Sequence, residues 1–328
     1  MSCGAGTPSK TLAMSDADAL PTLLRYREQR WLDHCSYVLR TLLIPLAQNG
    51  QLAAGQPAKR AAVLIDNRIN DQWLFTVLNT VMMCPPGTQL CLITGEKQLA
   101  TAQALLRDLE PTLEPWWCEV ERLCPGTDLS DGVSFNRMMK QETFWHGLPH
   151  EKLLIIQTDA LLVQPVPEFF FEFGYLGAPF LPRQQSETFE RREHDGALSG
   201  FFKVDTPIHG SPDPDVYPHL HGNGGLSIRH RSLMHHICSE WGANSPATEM
   251  EDVFFSRHLP CCGQPAPLAI AQSFACESTY NPTVIGSHAA WKYFTSAELA
   301  EHLDRHFRQT WAMTESHRHA CSMRYKSA

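Results

Sequence analysis

The sequence predicts an α/β domain with one central, mostly parallel sheet flanked by helices, entered through a helical lead-in. Three observations predict it. Between residues 60 and 156, short apolar runs alternate with amphipathic segments, the signature of strand and helix in turn. The apolar runs are continuous, as in strands covered on both faces. The chain has 328 residues, 43% hydrophobic and 19% charged, an ordinary globular composition that suits one large α/β domain or two small ones.

The elements follow in order. Residues 1–19 are small and polar and read as a flexible tail. From Leu20 to Ala47, apolar residues recur at helical intervals (Leu24, Trp31, Cys35, Val38, Leu42, Leu43), which predicts the lead-in. Gly50, Gly55 and Pro57 mark residues 48–59 as a linker, so the fold proper is expected over 60–328. Ala61–Ile65 reads as a buried strand ending at Asp66-Asn67-Arg68. A helix over 71–83, a strand over 90–94, a helix over 97–109, a strand over 116–120 and a helix over 135–145 follow. Leu153–Ile156 is again a continuous apolar strand. Residues 182–221 are rich in proline, charge and histidine without a period, and read as a long loop, which in compact domains is commonly a lid or binding loop. Strands are expected at 225–228 and 268–274, and helices at 231–241, 251–258 and 296–311.

Composition excludes several functions. A net charge of -8 argues against broad binding to nucleic acid or to an anionic membrane. The longest nearly apolar run, Trp73 to Cys84, is too short to span a bilayer, and no secretory signal pattern opens the sequence. Eleven cysteines, an odd count with no Cys-x-x-Cys, argue against a zinc ribbon or a regular disulfide framework. Reduced, mostly buried thiols in a cytoplasmic protein are the expectation.

Four segments carry chemistry. In Leu153-Leu154-Ile155-Ile156-Gln157-Thr158-Asp159, a buried strand delivers one acid at its carboxyl end, where ligands of open α/β sheets bind. Asp66 stands likewise at the end of an earlier strand. Asp159 is either a strand cap or a metal carboxylate. A divalent cation there would offset the charge that grows on a diphosphate leaving group. Gly222-Asn223-Gly224-Gly225 means backbone that turns sharply or approaches a ligand closely. Glu251-Asp252 opens a helix, where acids suit the helix dipole, and either could instead serve as a general base. His288, behind Gly286, is one of sixteen histidines and gains interest from its order after the other three.

Together these segments resemble the GT-A glycosyltransferase superfamily: an aspartate motif after a central strand, a glycine loop, a Glu-Asp pair and a C-terminal histidine, in that order. The likeness is strongest to a little-characterised GT-A-like family with Phe-Trp ahead of an Ile-x-Gln-Thr-Asp strand end, here Phe144-Trp145 and Ile155-Ile156-Gln157-Thr158-Asp159. It spans roughly residues 60–292. The chain departs from the superfamily's Asp-x-Asp in carrying Gln157-Thr158-Asp159, one carboxylate instead of two.

The resemblance implies a GT-A-like catalytic domain that transfers a sugar from a nucleotide-sugar donor to an acceptor hydroxyl with inversion. It implies Asp159 and His288 as metal ligands, with Asp66, Arg68, Gln157 and Thr158 around the donor. Asn223, Gly224 and Gly225 would border donor and acceptor, and Asp252 would be the base, with Glu251 a secondary candidate. Arg68 suits phosphate on physical grounds too, since its planar fork matches phosphate oxygens. Lys292 is a second cationic candidate. A mixed nitrogen and oxygen ligand set favours Mn²⁺ over Mg²⁺. Two rivals stand beside this reading: a nucleotide-sugar-binding protein on the same fold without activity, and a zinc hydrolase using His219 and His221.

Overall fold

The computed structural model describes residues 16–49, 52, 59–110, 113–179, 222–262 and 266–326. The expected loop over 182–221, with His219 and His221, lies outside the described residues.

Six strands form the main sheet: β1 (Arg60–Ile65), β2 (Gln89–Thr94), β3 (Trp116–Glu119), β4 (Lys152–Ile156), β6 (Tyr175–Gly177) and β7 (Leu226–His230), in the order β3-β2-β1-β4-β7-β6. β1 to β4 run parallel, and β7 enters antiparallel beside β4. A second sheet of β5 (Ala160–Leu162), β8 (Ala275–Cys276) and β9 (Gly286–His288) has the order β5-β9-β8. The architecture is the mixed α/β arrangement that the alternation predicts.

The continuous apolar runs have a direct cause. Along β1, Ala62 and Leu64 point into one core, and Ala61, Val63 and Ile65 into the other. β4 divides the same way, Leu154 and Ile156 against Leu153 and Ile155. Successive side chains of a strand face opposite sides, so a sheet covered on both faces needs an apolar residue at every position. The first core is closed by the lead-in helix and by the helix Asp71–Met83, whose N-cap Asn70 accepts from Trp73 N–H at 3.0 Å. The second is closed by Arg231–Trp241 and Glu251–Cys262.

Several boundaries differ from the sequence reading. The lead-in helix already begins at Asp16, inside the expected tail, and runs to Val38. A π-helical turn over Leu39–Leu43 follows, just ahead of Pro45, which has no N–H to continue the ladder. The helix expected over 135–145 is two, Gly132–Met139 and Glu142–His146, broken where the Lys140 ammonium turns to donate to the Pro246 and Glu249 carbonyls. The last helix extends from Ser296 to Lys326, well past Trp311.

One element has the wrong type. Leu268–Phe274, expected as a strand, is a helix. A seven-residue segment with five apolar residues does not distinguish the two by periodicity. Pro267 opens the helix by accepting from the Ile270 and Ala271 N–H groups, and Ala271 and Phe274 then share the buried face. The strand forms immediately afterwards, as β8.

All nine described cysteines are free, and six are buried. Among the described residues, no helix is long and apolar enough to cross a membrane.

Candidate active site

The candidate residues meet where the two sheets join. β4 ends at Ile156, paired with Leu226, the first residue of β7. The turn Gln157–Asp159 and the loop Gly222–Gly225 therefore lie side by side, tied by the Gln157 N–H to the Gly225 carbonyl at 2.8 Å. β5 continues directly from Asp159 and pairs antiparallel with β9, setting Ala160 opposite His288. The Ala289 N–H then donates to the Asp159 carbonyl at 2.9 Å.

At this junction Asp159 Oδ1 lies 3.0 Å from His288 Nε2. Gln157 Oε1 is 3.2 Å from the same nitrogen, and the Lys292 ammonium is 3.7 Å from Asp159 Oδ2. The other ring nitrogen, Nδ1, lies 3.0 Å from Glu277 Oε1. His288 is thus held between two carboxylates. Burial alone would lower its pKa, but the Asp159 and Glu277 charges outweigh burial and push it up to about 10. Asp159 mirrors this. Burial raises its pKa, while the His288 charge and hydrogen bond and the Lys292 charge hold it well below the usual carboxylate range. Ala289, next to His288, has φ 47°, the one positive φ outside glycine among the described residues. Strained backbone of this kind collects at functional sites.

The glycine loop has two distinct packing reasons. A Cβ at Gly225 would overlap the His288 ring, and a Cβ at Gly224 would overlap the Glu251 carboxylate. Within the loop, Asn223 Oδ1 accepts from the Gly225 and Leu226 N–H groups at 2.8 and 3.2 Å. Its amide nitrogen lies 2.8 Å from His288 Nδ1.

Glu251 and Asp252 point different ways, as neighbours on a helix must. Glu251 turns into the core and binds Arg229 through both oxygens, at 2.6 and 3.0 Å. Arg229 is fully buried, its guanidinium 4.9 Å from the Tyr175 ring centre and 5.2 Å from that of Phe255. Asp252 turns to the glycine loop, where its Oδ2 accepts from the Gly224 N–H at 3.2 Å. Burial, with the charges of Glu251 and Glu277, pushes its pKa up to about 7 against the hydrogen bonds from Val253 and Gly224.

Asp66 and Arg68 form a second cluster at the carboxyl end of β1. Asp66 accepts from the Arg68 N–H, Nε and Nη2 and from the Thr158 hydroxyl, at 2.7 to 3.0 Å. The Arg68 side chain is largely exposed, and Nη1 has no protein partner among the described residues. Thr158 is buried as the link between the clusters, its carbonyl accepting from Gln72 Nε2 at 2.8 Å.

The sequence points to Asp159 and His288 but not to Glu277, Arg229 or Tyr293. Glu277 is buried behind His288, and Tyr293 is buried where the charges of Glu277, Asp159 and Asp252 add to burial in raising its pKa. Glu277 follows a run read as a strand, so its true register beside β9 was not visible.

A metal ion fits the donor set. Asp159 Oδ1 and His288 Nε2 are close enough to share a cation at bond lengths of about 2.0–2.2 Å. Among the described residues no group of three or more His, Cys, Asp or Glu side chains forms a cage, so other ligands would come from Gln157, substrate oxygens or water.

The fold and site define a mixed α/β protein whose acid, histidine and glycine-loop residues gather at the carboxyl end of a central parallel sheet. The chain belongs to the family described as "Protein of unknown function (DUF5672)", whose model matches residues 118–288, from the end of β3 to His288. No curated protein matches the sequence. Among solved structures, mouse xyloside xylosyltransferase 1 in its apo form is similar at 13% identity and a TM-score of 0.42, over 70% of this chain and 97% of that one. The Streptococcus pneumoniae glycosyltransferase GlyE is similar at 10% identity and a TM-score of 0.42, over 78% of this chain and 63% of that one. A Pyrobaculum calidifontis mannosyltransferase, solved with GDP-Man and Mn²⁺, is similar at 13% identity and a TM-score of 0.39, over 89% of this chain and 76% of that one.

Proposed function

We propose that this protein is a metal-dependent, inverting GT-A-type glycosyltransferase that moves a sugar from a nucleotide-sugar donor to an acceptor hydroxyl. The observation that carries the reading is the meeting of Asp159 and His288 at 3.0 Å beside the glycine loop, with Asp252 accepting from the loop's Gly224 N–H.

In this reading Asp159 and His288 hold a divalent cation, and the nitrogen ligand favours Mn²⁺ over Mg²⁺. The cation would supply charge neutralisation for the departing diphosphate. Lys292 and the free Nη1 edge of Arg68 add positive charge for the same phosphates, and Asp66 and Thr158 keep Arg68 at the rim. Asn223, Gly224 and Gly225 border donor and acceptor in this reading, the two glycines letting the loop close on Glu251 and His288.

The acceptor oxygen forms its bond to the anomeric carbon as the carbon–oxygen bond to the diphosphate breaks, the electron pair leaving on the diphosphate. The acceptor's proton passes to Asp252. A carboxylate with a pKa near 7 is well matched to that task at neutral pH. Attack opposite the leaving group inverts the anomeric configuration.

A thermal-shift screen of nucleotide sugars with and without Mn²⁺ tests the reading, because only a ligand that prefers the folded state raises the midpoint. A metal-dependent rise with one donor supports it, and no rise with any donor overturns it. The amide at Gln157 favours a second reading, a nucleotide-sugar-binding protein without activity. Slow donor hydrolysis in the absence of acceptor would argue against that alternative.

A further inference from the structure

We infer that Glu277 is a positioning residue that sets the tautomer of His288 in the cation-bound site, holding the one remaining proton on Nδ1 and leaving the Nε2 lone pair to the cation shared with Asp159. The inference rests on the reading that Asp159 and His288 bind a cation.

Glu277 is only 6% exposed, and among the described residues its one ion pair is with His288. Burying a carboxylate is unfavourable unless it is paired and hydrogen-bonded, so the role of Glu277 lies in that contact. The backbone delivers it there: β8 pairs parallel with β9, setting Cys276 beside Ser287, and the chain then continues to Glu277, just past β8, and to His288, the last residue of β9.

The ring has little freedom. Gly225 packs against its Nε2 edge, and β9 is anchored by the Ser287 hydroxyl, 2.8 Å from His302 Nε2.

Two neighbours of Nδ1 make opposite demands. Asn223 Oδ1 is committed to two backbone N–H groups, so the amide nitrogen facing His288 can only donate. Asn223 therefore favours a bare Nδ1 and a proton on Nε2, which would block a cation. Ionised Glu277 can only accept, and favours the proton on Nδ1. With both present, the charge-assisted bond to the carboxylate is the stronger and decides the tautomer. A carboxylate behind a ligating histidine also increases its basicity as a ligand, and its loss typically weakens metal binding by about 10–100-fold.

Mn²⁺ binding by the full chain is measured by electron paramagnetic resonance for wild type, Glu277→Ala, Glu277→Gln and Asp159→Asn, each checked for folding by thermal melting. Glu277→Ala should bind Mn²⁺ about 10–100-fold more weakly. Glu277→Gln keeps an acceptor oxygen at Nδ1 and should recover much of the loss. With Zn²⁺ as a diamagnetic probe, histidine ¹⁵N spectra should place the His288 proton on Nδ1 in wild type. These spectra carry the test if the alanine variant fails to fold, and a His288 proton on Nε2 or ligation through Nδ1 overturns the inference. Equal Mn²⁺ affinity in wild type, Glu277→Ala and Glu277→Gln, with Asp159→Asn impaired, overturns the role of Glu277 and leaves the site standing. Absence of Mn²⁺ binding by wild type, or an unimpaired Asp159→Asn, overturns the metal reading and this inference with it.

Discussion

Gly225 packs directly against the imidazole of His288, so closely that a Cβ at residue 225 would overlap the ring at Cδ2 and Nε2. Gly225→Ala must push the ring away from Asp159 or shift the loop. Displacement of a catalytic constellation by about 1 Å can reduce turnover about 10²-fold, while overpacking costs about 1–3 kcal/mol of stability. Steady-state kinetics and urea denaturation separate the two effects. Gly224→Ala is the contrast, because its Cβ would strike Glu251 and approach Arg229. That variant should lose mainly stability. Normal turnover in a folded Gly225→Ala would remove His288 from the site.

Asp159→Asn keeps the shape of the side chain and removes its charge. Mn²⁺ should then cease to raise the melting temperature in the presence of donor, while the protein alone stays folded. An undiminished Mn²⁺ effect would assign the cation to other residues.

Asp252→Asn should lower kcat by about 10²–10⁴-fold with little change in donor affinity, the usual effect of removing a positioned base. The base acts as its anion, so kcat/KM should rise with pH through about 7, and a nearby bound cation would move that limb lower. Product with retained configuration would exclude the assignment.

Glu251→Gln tests the buried pair. It leaves Arg229 charged, fully buried and without its carboxylate, a change that typically costs about 3–5 kcal/mol. Replacing both by apolar residues, as Arg229→Met with Glu251→Leu, should cost less than Glu251→Gln alone. Denaturant melts decide it. A near-neutral Glu251→Gln would show that the pair contributes little to stability.

Two buried histidines, His302 and His306, and half-buried His34 predict acid lability. His34 Nε2 and His306 Nδ1 are 2.8 Å apart, and the Asn79 amide nitrogen lies 3.0 Å from His306 Nε2. Asn79 Oδ1 accepts from the Leu162 N–H, so its nitrogen donates to His306, which in turn donates to His34. A proton on His306 Nε2 would meet that donor. Burial lowers the pKa of His34 to about 4 and, with Arg305 and His34 nearby, that of His302 to about 3, and it holds His306 well below its ordinary value. Below about pH 6.5 the unfolded chain takes up protons that the folded chain refuses. The contribution of these three histidines is therefore full above that pH and falls toward about pH 4, by at most about 1.4 kcal/mol per pH unit for each. Urea melts at pH 7.5 and 5 check the slope, which His306→Gln should make shallower.

Much of the scaffold was legible because it depends on local pattern. The runs at Ala61–Ile65 and Leu153–Ile156 had to be sheet interior, since each side chain needed an apolar neighbour on its own face. Asp66 and Asp159 were visible as acids where those runs stop. Leu268–Phe274 was not legible, because so short a mostly apolar segment fits either period and Pro267 decided for a helix. That error concealed Glu277 as well, since its partner is fixed by the pairing of β8 with β9.

The sequence by itself determined the covered parallel sheet, the acids at its strand ends and the glycines of the loop after residue 221. These follow from residue type and spacing over a few positions. Only the tertiary structure decided that His288 stands between Asp159 and Glu277, that Glu251 is committed to Arg229, and that Asp252 faces the loop. These relationships join residues distant in the chain, through strand register and the direction each side chain takes from its helix. Periodicity constrains which face is buried, but not which residues meet across it.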